Sequence, residues 1–186
     1  MILWSIQPIK VYEQIQKNGR YLVDSRLSDN FKDFKDSYSW LKEQMSIKGI
    51  KNKNNNEIIW AWHTYNGKHE MPDMKDIRNM FSGDNEVILE IDIPDEEVVL
   101  SDYNTWHFVL NNSWIDDSTC EEEWEKNRSW YESLSFEERE HLKKESWQKV
   151  FDVEPFISEW VIKGMYVQAS FFELKSENIK QVYHIN

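Results

Sequence analysis

The 186-residue chain sets 34 acidic side chains against 22 basic ones, a formal net charge of -12, which disfavours duplex nucleic acid and anionic membrane surfaces as partners. Its one cysteine, Cys120, excludes an internal disulfide and a Cys-x-x-Cys zinc site, and no apolar run approaches the ~20 residues needed to cross a bilayer. The opening "MILWSIQPIK" lacks the basic-then-apolar layout of a secretory leader, so a cytoplasmic protein is expected.

A chain of this length is expected to form a single domain, 1–186, burying roughly two thirds of its unfolded surface. The spacing predicts a first strand over Ile2 to Ile6, then a helix that Pro8 opens and Asn18-Gly19 stops, with Ile9, Tyr12 and Ile15 on one face. "RYLVD" reads as extended. From Asp29 a second helix is signalled by Phe31, Phe34, Tyr38, Leu41 and Met45 at three- and four-residue steps, with Asp29 as cap and Gly49 as stop. "IIWAWHTYNGK" alternates as a strand, Trp60, Trp62 and Thr64 against Ile59, Ala61, His63 and Tyr65, closed by Asn66-Gly67. "EVILEIDIP" alternates more cleanly, Val87, Leu89, Ile91 and Ile93 facing a core, until Pro94 ends the ladder.

"EEVVLSD" is a further short strand, after which Ser101 or Asp102 caps a helix through "YNTWHFVLNN". Over 116–152 charge density rises and helical spacing takes over, which reads as a helical insertion within the domain. Glu121 to Glu123 suit the first turn of a helix, and "SFEE" from Ser135 matches a capping box. Two strands, Tyr166 to Leu174 and Gln181 to Ile185, close the chain around a link at "KSEN". Strands and helices do not alternate regularly, so an α+β fold is expected, with a mixed, largely antiparallel sheet and flanking helices.

Glycine-rich phosphate loops, His-Glu-x-x-His and Gly-x-Ser-x-Gly are all absent, and the five histidines are scattered, so no metal is expected. His63 and His107 each stand beside a tryptophan on a structured element, where an imidazole can act as acid, base or donor near pH 7. Glu90 and Asp92 share a strand face, as a carboxylate pair or as a solvated surface. The 10 Trp, 8 Tyr and 9 Phe serve a core first, and they also suit a pocket for a flat ligand. Gln168, polar among the aromatics of "YVQASFFEL", is either a structural peg or a ligand-reading amide.

Five phrases, "LWSIQ" at Leu3, "WAWH" at Trp60, "PDEEVVLSDYNTWHFVLNN" at Pro94, "ESWQKVFD" at Glu145 and "VQASFFEL" at Val167, resemble the domain of unknown function 3841 family of bacterial proteins. That resemblance spans nearly the whole chain and implies no activity. A looser one is to the ADP-ribosyltransferase fold, whose sheet is split and whose first strand and helix hold NAD, with a later strand supplying an aromatic and a last one the catalytic glutamate.

The looser resemblance places Trp4 in the first position, Trp62 or Tyr65 in the second and Gln168 on the late strand. It implies NAD as substrate, and taken together with the residues singled out above it makes Trp4, Trp62, Tyr65, His107 and Ser170 the binding candidates and Gln168, His63 and Glu173 the catalytic ones. Where many such enzymes carry Gln-x-Glu, this chain has Gln168-Ala169-Ser170, and Glu173 is expected on the opposite face. Three readings stay open: an NAD-using transferase or degenerate relative, a non-catalytic module with an aromatic pocket for a small molecule, and a protein-binding factor acting through Thr119 to Phe151.

Overall fold

The structure is a computed structural model that describes residues 1–23, 33–53, 55–80 and 85–185. Strand β1 (Ile2–Pro8) runs directly into helix α1 (Ile9–Asn18), because Pro8 at φ -56 ends the ladder and needs no N–H in the first helical turn. Gly19, left-handed at φ 75, stops α1 by donating its N–H to the Ile15 carbonyl at 2.8 Å. After β2 (Arg20–Tyr21) comes helix α2 (Lys35–Ile47), its apolar stripe at Trp40, Leu41 and Met45 buried and Gly49 at φ 88 beyond its end. The expected cap Asp29 and the anchor Phe31 lie outside the described residues.

Strand β3 (Ile59–Thr64) ends in a turn where Asn66 and Gly67 both take positive φ, the geometry that suits the twist of a two-residue hairpin. Helix α3 (Met74–Met80), which periodicity does not signal, precedes β4 (Glu86–Asp92). A 3-10 turn at Asp95–Glu97 leads to β5 (Val99–Asp102) and helix α4 (Tyr103–Leu110). Helices α5 (Glu121–Ser133) and α6 (Phe136–Ser146) follow, and the predicted capping box closes in full between Ser135 and Glu138. A 3-10 segment, Trp147–Phe151, then drives Trp147 and Val150 completely into the interior, while α5 itself buries no side chain.

A small hairpin, β6 (Phe156–Ile157) with β7 (Ile162–Lys163), precedes β8 (Val167–Phe171). β9 (Leu174–Lys175) pairs with β2, and a 3-10 turn at Ser176–Asn178 leads into β10 (Ile179–His184). The expected strand from Tyr166 to Leu174 is therefore two strands. The main ladder stops at Phe171, so strand alternation does not decide where Glu173 points.

The six main strands form one sheet in the order β10-β4-β1-β3-β8-β5, antiparallel at every seam, beside two two-stranded sheets. The architecture is α+β, as expected. The seams are unequal. β1 and β4 register over the whole of β1, from Ile2 opposite Asp92 to Pro8 opposite Glu86, whereas β1 meets β3 in register only where Trp4 faces Trp62. Ser5 substitutes for ladder bonds at that seam. Its buried hydroxyl donates to the Trp60 carbonyl at 2.8 Å and accepts from the Gln7 amide at 2.9 Å.

One face of the sheet packs Leu3, Ile59, Ala61, Val87, Leu89, Ile91, Ala169 and Phe171 beneath Val11 and Ile15 of α1. The other face carries two separate apolar clusters. Trp40, Leu41, Met45, Trp106, Val109, Trp147 and Val150 cover its β5–β8 end, and Trp4, Ile77, Ile88 and Ile185 cover its β1–β4 end.

Candidate functional site

The strand registers place one row of side chains across that second face: Glu90 opposite Trp4, Trp4 opposite Trp62, Trp62 opposite Gln168, Gln168 opposite Ser101. Residues directly opposite in an antiparallel pair project to the same side, so the row is a continuous strip. At its middle, between the two clusters and above the short β1–β3 seam, lies an open cleft of about 430 Å³ lined by Trp4, Ile6, Trp60, Ala61, Trp62, Tyr103 and Gln168. Three indoles and a phenol make its walls. Its volume falls within the range of small-molecule sites.

Gln168 is half-buried, and its amide forms no hydrogen bond with any described residue. Close by, the Trp4 indole N–H and the hydroxyls of Ser101 and Ser170 are buried and unpartnered among the described residues. Ser170 sits one row further along, opposite Trp60 and Val99. The strip is thus short of hydrogen-bond partners around an amide that presents both two donors and an acceptor.

The aromatic walls are held edge to face. Trp62 meets Tyr65 at 5.3 Å and 82° and Tyr103 at 5.2 Å and 61°, and Tyr65 meets Tyr166 at 5.2 Å. Tyr65 therefore backs Trp62 from behind and is itself buried, which pushes its phenol pKa up. His107 is a further step out, its ring 4.5 Å from Tyr103 and its Nδ1 2.8 Å from the Tyr103 carbonyl.

His63 occupies a bulge, where the β3–β8 register slips between Trp62 and Thr64. Its Nδ1 lies 2.9 Å from Thr64 Oγ1 and its ring 4.3 Å from that of His69, which in turn meets Trp4 at 5.3 Å. Burial pushes the His63 pKa below its ordinary value, and the neighbouring His69 adds to the effect. His63 thus stands behind the Trp4 wall.

Glu173 lies apart from this group. It lines a different depression, of about 630 Å³, and pairs with Arg20 at 3.4 Å. Glu90 and Asp92, which share a strand face, have separate partners: Glu90 accepts from the Tyr183 hydroxyl at 2.9 Å, and Asp92 pairs with Lys180 and the amino terminus. Among the described residues no three His, Cys, Asp or Glu side chains gather as metal ligands, and no helix is long and apolar enough to cross a membrane.

Trp60 and Tyr103 join the cleft without having been singled out from the sequence as site residues. Trp60 shares the alternation of Trp62 and could have been included on that ground. Tyr103 could not, because only the register that sets β5 beside β8 brings the start of α4 to the cleft.

Residues 2–180 match the family described as domain of unknown function (DUF3841). The chain belongs to that family. The match runs from the first residue of β1 into β10, and so takes in every strand that floors the cleft. No curated protein and no solved structure matches the chain.

Proposed function

We propose that this DUF3841 protein is a binding module for a flat heteroaromatic ring that carries a carboxamide. The nicotinamide group of NAD is one such ring. The observation that carries this reading is the unpaired Gln168 amide set among Trp4, Trp62 and Tyr103. Indole faces supply apolar contact and stacking, and the amide supplies a complementary donor and acceptor that fix the ring's orientation.

No carboxylate is among the residues that line the cleft, so binding is favoured over group transfer. The transferase reading shares Trp4, Trp62 and Gln168 with this one and requires an acid from elsewhere. The test is thermal unfolding with millimolar nicotinamide, NAD and ADP-ribose, on the wild type and on Gln168→Ala. A ligand present at a hundred times its dissociation constant adds about 2.7 kcal/mol to stability.

Nicotinamide and NAD are expected to raise the midpoint, ADP-ribose to leave it in place, and the variant to lose the response. A shift with ADP-ribose alone overturns the carboxamide-ring reading in favour of recognition through the adenine, ribose or phosphate groups. No shift with any of the three removes the nicotinamide class altogether.

A further inference from the structure

The helix pair α5–α6 holds a further concavity, of about 390 Å³, lined by Trp114, Tyr131, Phe136, Arg139, Glu140 and Lys143 among others. Arg139 and Glu140 lie three and four residues after Phe136, and Lys143 lies four and three residues after them, so the four share one face of α6. Opposite them Trp114 and Tyr131 stack almost parallel, 4.5 Å apart at 5°, with the Tyr131 hydroxyl donating to the Arg139 carbonyl at 3.0 Å.

The charges here are not balanced. Lys143, only 4 % exposed, is neutralised by Glu140 one turn before it. The Arg139 guanidinium has no hydrogen-bond or ion-pair partner among the described residues, and its Nε is buried. In a chain of net charge -12, where carboxylates abound, a half-buried guanidinium that pairs with none of them keeps its donors for another partner.

We propose that this groove is a second binding site, for an oxyanion carried on a flat aromatic ring. Carboxylate and phosphate both match the planar fork of Arg139, which can donate two parallel hydrogen bonds. The half-buried Trp114–Tyr131 stack and Phe136, 70 % exposed, supply the apolar surface for the ring. The site differs in chemistry from the cleft on the sheet, whose lining carries no charge.

The experiment is a titration of the Trp114 indole N–H resonance with phenyl phosphate, benzoate, inorganic phosphate and neutral benzamide. It is run on the wild type, Arg139→Gln and Arg139→Lys, with the melting temperature of each variant as a check on folding. Phenyl phosphate or benzoate is expected to give a saturable shift that weakens at least roughly tenfold in Arg139→Gln and with added salt. Arg139→Lys, which keeps the charge and loses the fork, is expected to fall between the two.

The two oxyanion probes decide between carboxylate and phosphate. Inorganic phosphate binding as tightly as phenyl phosphate would remove the aromatic ring from the proposal. Equal shifts with benzamide, an unchanged affinity in a folded Arg139→Gln protein, or no saturable shift with either ring-bearing oxyanion overturns it. Should Arg139→Gln fail to fold, an unchanged affinity in Arg139→Lys together with no salt dependence overturns it equally.

Discussion

At the scale of single residues, Gln168 separates two roles that composition leaves undivided. A structural peg would leave buried groups unpaired when cut back, at a cost of about 1–3 kcal/mol. Because its amide bonds no described residue, Gln168→Ala is expected to change stability by less than about 0.5 kcal/mol while abolishing the nicotinamide response. Denaturant titration gives the first number and ligand-dependent melting the second, and a large loss of stability would restore the peg. His63 gives a pH dependence whose sign follows from its environment. Burial lowers its folded pKa below the ordinary 6.5, so between the two values the unfolded chain holds more proton than the folded one. Its contribution to stability is complete above about pH 6.5 and is lost as pH falls through the depressed value. His63→Gln should flatten that part of the profile, measured as the urea midpoint from pH 7.5 to pH 5, and an unchanged slope would place the titration elsewhere. Trp4, Trp62 and Gln168, named from the looser fold resemblance, line one cleft. Glu173 shows the limit of strand alternation, which ceases to apply where β8 ends at Phe171.

At the scale of elements, the caps were legible because they are local, and the structure shows how unequal two legible caps can be. Ser135 caps α6 at the surface, so Ser135→Ala is expected to cost about 1 kcal/mol. Asp102 caps α4 from a fully buried position. One carboxylate oxygen accepts from the Thr105 N–H at 2.8 Å and the Thr105 hydroxyl at 2.7 Å, and the other from the Gly164 N–H at 2.8 Å. Asp102→Ala strands a buried donor as well as removing the cap, and should cost about 2–4 kcal/mol by chemical denaturation. A cost equal to that of Ser135→Ala would mean that the bond to Gly164 contributes nothing. Gly164 itself is constrained, with φ 75 and so little room that a Cβ there would lie 2.6 Å from Pro155 Cα, which packs the entry of β8 against the start of the β6–β7 hairpin. Neither that hairpin nor α3 was legible. Both are short, and each is shaped by neighbours distant in sequence rather than by a period of its own.

At the scale of the whole molecule, the strand order was the least legible feature. β10 follows β8 and β9 in sequence yet lies at the far edge against β4, because Ile185 completes the cluster of Trp4, Ile77 and Ile88. Composition and element type indicate an antiparallel α+β sheet, but only packing decides which strands neighbour one another, and the row Trp4-Trp62-Gln168 exists only in this order. The cleft is thus a gap between two clusters, one holding Trp4 and the other backing Trp60, and its shape depends on residues that never touch a ligand. Ile77 of α3 is the plainest probe of that dependence, being fully buried against Trp4 without itself lining the cleft. Ile77→Ala opens a cavity and is expected to cost about 2–5 kcal/mol, with the spread set by how far the surroundings collapse. If the Trp4 wall relaxes into that space, nicotinamide binding weakens as well, although no lining residue has changed. A protein that loses the stability and keeps the affinity would show that Trp4 is held by β1 and β4 alone, and that α3 closes the core without shaping the cleft.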